Sequence, residues 1–259
     1  MKKTRFALMS AVGLLLAGCA GSRPETPEIP SAAVTRTRQP ITLDGNLDEA
    51  AWKSTPGYEL LRCDNYTKLP PLTAGPIAAD PYESAVVKFL YDDQYLYVGC
   101  ALSDSDVLAC GEKDQELLFR WGDTLEIFLF SEDGGWYWEL YGTPDNRKSS
   151  FFYPGGGMTG MWYCYAPEHL MKDFAVAARV AGTLNDSGDT DKGWNVEIRI
   201  PLKEVAAKGI PFAPGQKWRV MAARYNYGAR LNRFQNASYP KQPTDKFHLR
   251  EYYAPVIFR

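Results

Sequence analysis

Ala85-Val-Val-Lys-Phe-Leu-Tyr91, Asp92-Asp93-Gln94, Tyr95-Leu-Tyr-Val-Gly-Cys-Ala-Leu102: two β-branched and aromatic runs flank three polar residues, and this stretch decides the fold. Side chains alternate across an extended chain, so Val87, Phe89 and Tyr91 share one face of the first arm and Leu96, Val98, Cys100 and Leu102 share one face of the second. The polar triplet supplies the turn, and the whole reads as an antiparallel hairpin. The same signature recurs outward from it. Asp123-Thr-Leu-Glu-Ile-Phe-Leu-Phe130 sends Leu125, Ile127 and Leu129 one way and Glu126, Phe128 and Phe130 the other. Residues 136–141 return after Asp133-Gly134-Gly135, residues 174–180 follow, and Trp194-Asn-Val-Glu-Ile-Arg-Ile200 sets Glu197 and Arg199 opposite its apolar set. Pro201 closes that strand, residues 202–208 suit one short helix, and 217–225 and 254–258 supply the last strands. About ten strands joined mostly as sequential neighbours predict an all-β, antiparallel, jelly-roll-like β-sandwich, each sheet covered on one side only, with at most one short helix. Two irregular stretches, 65–81 and 147–170, exceed an ordinary connection.

Before this body the sequence has a different character. Lys2, Lys3 and Arg5 precede an apolar run over residues 6–16 that is too short to span a bilayer, and Leu16-Ala17-Gly18-Cys19 follows. This resembles a lipoprotein signal, so residues 1–18 are expected to be removed and Cys19 to carry acyl chains as the membrane anchor. Residues 19–39, rich in Pro, Thr, Ser and Ala without hydrophobic periodicity, are expected to form a disordered tether, leaving 40–259 as the domain. Loss of the leader makes the net charge three units more negative than the −2 of the full sequence, which argues against nucleic acid as a partner. The expected location is the cell envelope, with Ala20 after the cysteine favouring the outer membrane. Cys63, Cys100, Cys110 and Cys164 remain in the domain; export makes disulfides plausible, and spacing leaves all three pairings open.

Catalytic motifs are sparse. Glu126 and Glu139 on successive strands are the carboxylates a glycosidase would need, but neither a Gly-x-Ser-x-Gly elbow nor a phosphate loop occurs, and the cluster Gly155-Gly156-Gly157 precedes no helix. Aromatic residues are 14% of the chain, and Trp121, Trp162, Tyr163, Tyr239 and Tyr252 stand beside turn-forming or charged residues. A flat ring presented to solvent suits the C–H face of a sugar, whose hydroxyl edge calls for carboxylate, amide and guanidinium partners. The bland reading of any one such ring is that it belongs to the core. An enzymatic role is not expected.

Ile41-Thr-Leu-Asp-Gly-Asn-Leu-Asp-Glu-Ala-Ala-Trp52, the hairpin through residues 91–98, Leu102-Ser-Asp-Ser-Asp106, Trp121-Gly-Asp-Thr-Leu-Glu-Ile-Phe-Leu129, Gly193-Trp-Asn-Val-Glu-Ile-Arg-Ile-Pro-Leu202 and the closing segment from Phe247-His248 to Phe258 follow one another in an order that resembles the family 9 carbohydrate-binding modules, a DOMON-like β-sandwich family. The resemblance implies non-catalytic sugar binding between two aromatic rings, carried over to Trp121 and Tyr239. Tyr239 stands where the family has tryptophan, which implies weaker stacking or a different sugar. Edge hydrogen bonds fall to Glu126, which is expected to point out of the core, to Asn236 and to Arg147. The resemblance also implies acidic turns able to hold a structural calcium ion, at Asp44, Asn46 and Asp48 and at Asp104 and Asp106. A domain standing alone behind a tether departs from modules appended to glycoside hydrolases, so an accessory role in a hydrolase system is one alternative. Another is a haem-binding DOMON-type redox module using His169 or His248 with Met158, Met161, Met171 or Met221. A structural envelope protein without ligand is a third.

Overall fold

The computed structural model describes residues 28–65, 81–155, 171–229, 231 and 234–259. Its elements in chain order are β1 (Ala32–Arg36), α1 (Ala50–Ser54), β2 (Gly57–Glu59), β3 (Leu61–Arg62), β4 (Ala85–Tyr91), β5 (Tyr95–Leu102), β6 (Thr124–Ser131), β7 (Tyr137–Gly142), β8 (Lys148–Tyr153), β9 (Ala175–Ala181), β10 (Gly193–Pro201), α2 (Leu202–Ala206), β11 (Trp218–Tyr225), β12 (Ala237–Tyr239) and β13 (Ala254–Phe258). Hydrogen bonding runs β8-β7-β6-β11-β13-β1-β4-β5-β10-β9, so one continuous ribbon of strands folds over on itself. The halves β8-β7-β6-β11 and β4-β5-β10-β9 face each other: a Cβ on Gly142 of β7 would lie 3.1–3.2 Å from Ile198 of β10 and Val176 of β9.

Alternation decides what lies between them. Leu125, Ile127 and Leu129 of β6 meet Val87 and Phe89 of β4, Val98 and Cys100 of β5, and Val196 and Ile198 of β10 in one buried cluster. Each fully buried side chain of this size contributes roughly 1.5–3 kcal/mol. Trp194 and Trp218 fill the ends of this layer, and the Trp218 indole finds the Pro211 carbonyl at 3.0 Å.

Four features differ from the sequence expectation. The segment expected to be tether through residue 39 contributes β1, whose Ala32, Ala33 and Val34 are buried and whose backbone runs parallel to both β13 and β4, joining the two halves of the ribbon. An averaged Pro/Thr/Ser/Ala composition hides this apolar trio. A second helix, α1, appears because tertiary contact overrides its length: Trp52 is buried and its indole donates to Glu197 at 3.0 Å. The stretch 147–170, expected to be irregular, begins with β8, which pairs along its length with β7. Finally, both sheet halves are also covered on their outer faces, one by Trp52, Leu90 and Tyr97 beneath α1 and the other by a second aromatic cluster around Phe128, Tyr141 and Phe247.

Cys63, Cys100 and Cys110 are free thiols, the first two buried and with their ionisation pushed up to about 12 by burial, so no disulfide joins them. Cys164 and the lipid-anchor position Cys19 lie outside the described residues.

Candidate functional site

The second aromatic cluster encloses a cavity. β6 pairs with β7 so that Glu126 lies opposite Tyr141 and Phe128 opposite Glu139, and β7 pairs with β8 so that Glu139 lies opposite Phe151 and Tyr137 opposite Tyr153. All of these side chains therefore share the outer face of the sheet. Loops carrying Phe119, Trp121, Phe247 and His248 cover them and leave a cavity of about 550 Å³. Its floor is Glu126 and Glu139, 2% and 3% exposed. They are diagonal neighbours on adjacent strands, a placement whose Cβ atoms are typically about 7 Å apart, within mutual reach of two glutamates. The structure thus brings together the two carboxylates that sequence spacing could not relate. Glu126 leaves the sandwich interior as expected, yet it is buried, because the outer face has a cover of its own.

The electrostatics of this floor are unusual. The Tyr141 hydroxyl donates to Oε1 of Glu139, while Oε2 of Glu139 and Oε1 of Glu126 are buried without a hydrogen-bond partner. Burial, and after it the charge of Glu139, hold the Glu126 carboxyl well above the ordinary carboxylate range. Burial and the same two carboxylates raise the Tyr141 and Tyr225 phenols, and burial together with Glu139 raises that of Tyr153. Two carboxylates this close in an apolar setting cannot both remain ionised at little cost. Around them stand ring faces: Phe119 stacks on Tyr225 at 4.9 Å, Tyr153 stacks on Tyr137 at 4.4 Å, and the Tyr137 hydroxyl meets Nδ1 of His248 at 2.9 Å.

Trp121 is the exposed member of the lining, 54% exposed to solvent. Its placement is over-determined. It ends a 3-10 turn over Leu118–Arg120, its N–H donates to the Leu118 carbonyl at 2.9 Å, and its own carbonyl accepts from Cys110 at 2.8 Å. The next residue, Gly122, has φ +144° and packs so closely that a Cβ would lie 2.3 Å from the Leu108 carbonyl oxygen. Asp123, fully buried, accepts from the Leu108 and Tyr227 amides, each at 2.7 Å, and locks the loop to β6. A buried pair nearby, Arg224 with Asp104 at 2.9 Å, ties the end of β11 to the loop after β5.

The other predicted sugar contacts go elsewhere. Tyr239 does not oppose Trp121: β12 pairs Tyr239 with Ala222, whose side chain faces the sandwich interior, and the Tyr239 ring stacks on Tyr58 at 4.4 Å and packs against that core. The expected two-ring clamp is corrected accordingly. Arg147 belongs to the turn between β7 and β8, where Nε binds Asp145 at 2.9 Å, and it does not line the cavity. Asn236 precedes β12, is buried with Oδ1 unpartnered, and also lies off the cavity lining. The residues that the sequence reading missed are Phe119, Tyr141, Phe151, Tyr153, Tyr225 and Phe247, and it named His248 only as a haem ligand; the alternation of Tyr137, Glu139 and Tyr141 along one strand was the available signal.

The turns proposed for calcium use their oxygens internally. Asp44 accepts from the Asn46 amide and side chain, both at 2.9 Å, and Asn46 Oδ1 accepts from Arg179 at 2.7 Å. Asp104 accepts from the Asp106 amide and from Arg224, and Asp106 accepts from Ser187 and the Ala229 amide. Asp48 is exposed on the first of these loops. Among the described residues no three His, Cys, Asp or Glu side chains converge as metal ligands, and the turn oxygens named here already accept hydrogen bonds from the protein. Of the residues a haem site would use, Met171 lies in the sandwich interior, whereas Met221 and His248 lie on the outer side with Nδ1 of His248 engaged by Tyr137. His169, Met158 and Met161 are outside the described residues.

No family model and no curated protein matches the chain. Solved structures do. A candidate carbohydrate-binding protein from Bacteroides uniformis superposes with a TM-score of 0.61 at 11% identity, over 90% of this chain and 100% of that one. A family 9 carbohydrate-binding module from Caldicellulosiruptor kristjanssonii superposes in its cellotriose complex with a TM-score of 0.54 at 14% identity, over 88% of this chain and 93% of that one. Its glucose complex gives 0.52 at 13% identity, over 88% and 95%. The chain is thus similar in structure to family 9 carbohydrate-binding modules and has their β-sandwich fold.

Proposed function

We propose that the outer-face cavity binds carbohydrate without cleaving it. One observation carries the reading: an exposed tryptophan stands at a cavity whose floor offers two buried carboxylates with unpartnered oxygens. Trp121 supplies the apolar platform for a sugar ring, and Glu126 and Glu139 accept from its hydroxyls, the bond to the ionised member of the pair being charge-assisted and stronger than a neutral one. The shared fold with modules solved around cellotriose and glucose supports the same reading. The site proposed is a single platform over a polar floor. It is served by the loop that Gly122 and Asp123 fix, and Tyr239, Asn236 and Arg147 act as structural residues.

The rest of the proposal concerns location: a lipid on Cys19 holds the domain at the envelope, where it captures glycans, alone or beside a glycoside hydrolase. The test is a glycan array probed with the purified domain, alongside a hydrolysis assay on every saccharide retained. Retention without cleavage is the expected result. No retention by any glycan would overturn the binding reading, and turnover abolished by Glu126→Gln or Glu139→Gln would replace it with catalysis.

A further inference from the structure

We propose that the saccharide taken by this cavity carries a protonated amine, as an amino sugar does, seated between Glu126 and Glu139; this rests on the carbohydrate reading of the same site. Neutral sugars need hydrogen-bond acceptors, and one ionised carboxylate beside an amide or guanidinium would serve them. Here the floor is two buried carboxylates, each with an oxygen left unpartnered. Among the described residues no ion pair reaches either of them. Arg120, whose guanidinium lies 5.7 Å over the Phe119 ring, and the exposed Lys246 also line the cavity, together with the carboxylates of Glu116 and Asp245. The floor therefore presents the negative charge of the ionised member of the pair, with which no cation of the described residues forms an ion pair.

The walls favour the same ligand. Phe119, Tyr141, Phe151 and Tyr225 surround the two carboxylates with aromatic rings, and ring faces carry the negative end of the aromatic quadrupole. A cation is attracted to such faces most strongly when it has left water, as inside this cavity. An ammonium group also has three donors and no acceptor, which matches two unpartnered carboxylate oxygens. An amide-capped or hydroxyl-bearing sugar in the same pose offers no charge to the pair, so the difference between them isolates the interaction.

Isothermal titration of the wild-type protein with a glucosamine trisaccharide, its fully N-acetylated counterpart and cellotriose, in mildly acidic buffer that keeps the amine charged, tests this. The amine form is expected to bind about tenfold more tightly or better, the difference between a charge-assisted and a neutral hydrogen bond. Glu139→Gln should weaken all three saccharides and bring the amine form down to the level of the other two; the wild-type comparison stands without it if the variant fails to fold. Equal affinity for the three saccharides overturns the amine proposal and leaves the carbohydrate reading intact. Absence of binding by all three overturns both. Ethanolamine binding as tightly as the amino trisaccharide overturns the assignment to a sugar.

Discussion

Truncating Trp121 to alanine should separate binding from folding. The side chain is 54% exposed. For a ring system of about 250 Å², that leaves roughly 135 Å² open, and a sugar stacked on one face covers about half of it. At about 25 cal/mol per Å² this is close to 1.7 kcal/mol, or a 15- to 20-fold loss of affinity. Stability should change far less, since Trp121 holds its loop through backbone hydrogen bonds that alanine retains, and surface substitutions of this kind stay within about 0.5 kcal/mol. Titration calorimetry with the best glycan of the array, beside thermal denaturation of both proteins, measures the two effects separately. A large drop in thermal stability would show that the ring is part of the core. Unchanged affinity would remove the tryptophan from the site.

Glu126→Gln should behave in the opposite sense. Because burial and Glu139 raise the folded-state pKa of Glu126, the stability its protonated form contributes is complete below the ordinary value of 4.5 and is lost as pH rises through the raised value. The neutral isostere should therefore raise Tm at pH 7, by about 2–4 °C per kcal/mol recovered, match wild type in acid, and weaken ligand binding; a lower Tm at neutral pH would refute the charge assignment. Gly122→Ala should destabilise by about 1–3 kcal/mol and weaken glycan binding, because a Cβ there meets the Leu108 carbonyl; wild-type denaturation curves would contradict this. Tyr239→Ala should cost about 1–3 kcal/mol of stability in denaturant titrations through the lost stack on Tyr58, yet leave the affinity of the folded fraction unchanged. Adding chelator should leave Tm where it is, since the candidate calcium oxygens already accept protein donors; a fall of several degrees would reveal a bound ion.

Much of the sandwich was legible because alternation needs only local sequence. The split of Leu125, Ile127 and Leu129 from Glu126 and Phe128 in β6 is visible in eight residues, and the hairpin of β4 and β5 lies where its turn chemistry puts it. The site was less legible because it depends on register. Glu126 meets Glu139 only once β6 and β7 are paired, and Phe247 and His248 reach them from more than a hundred residues away. Tyr239 shows the limit most plainly: its spacing from Asn236 suits a sugar contact, but its register with Ala222 turns the ring inward, and nothing local encodes that register. Trp121 was legible as a candidate because a turn-flanked tryptophan before a strand is a local feature, and the structure places it exposed at the cavity.

Nuclear magnetic resonance titration of the isotope-labelled domain with the glycan it retains tests the central claim directly. Saturable shifts of the Trp121 indole N–H and of amides along β6, β7 and β8, with Tyr239 and its neighbours unmoved, are predicted. Shifts centred on β12, or confined to the opposite half of the sandwich, would place the sugar elsewhere and contradict the account.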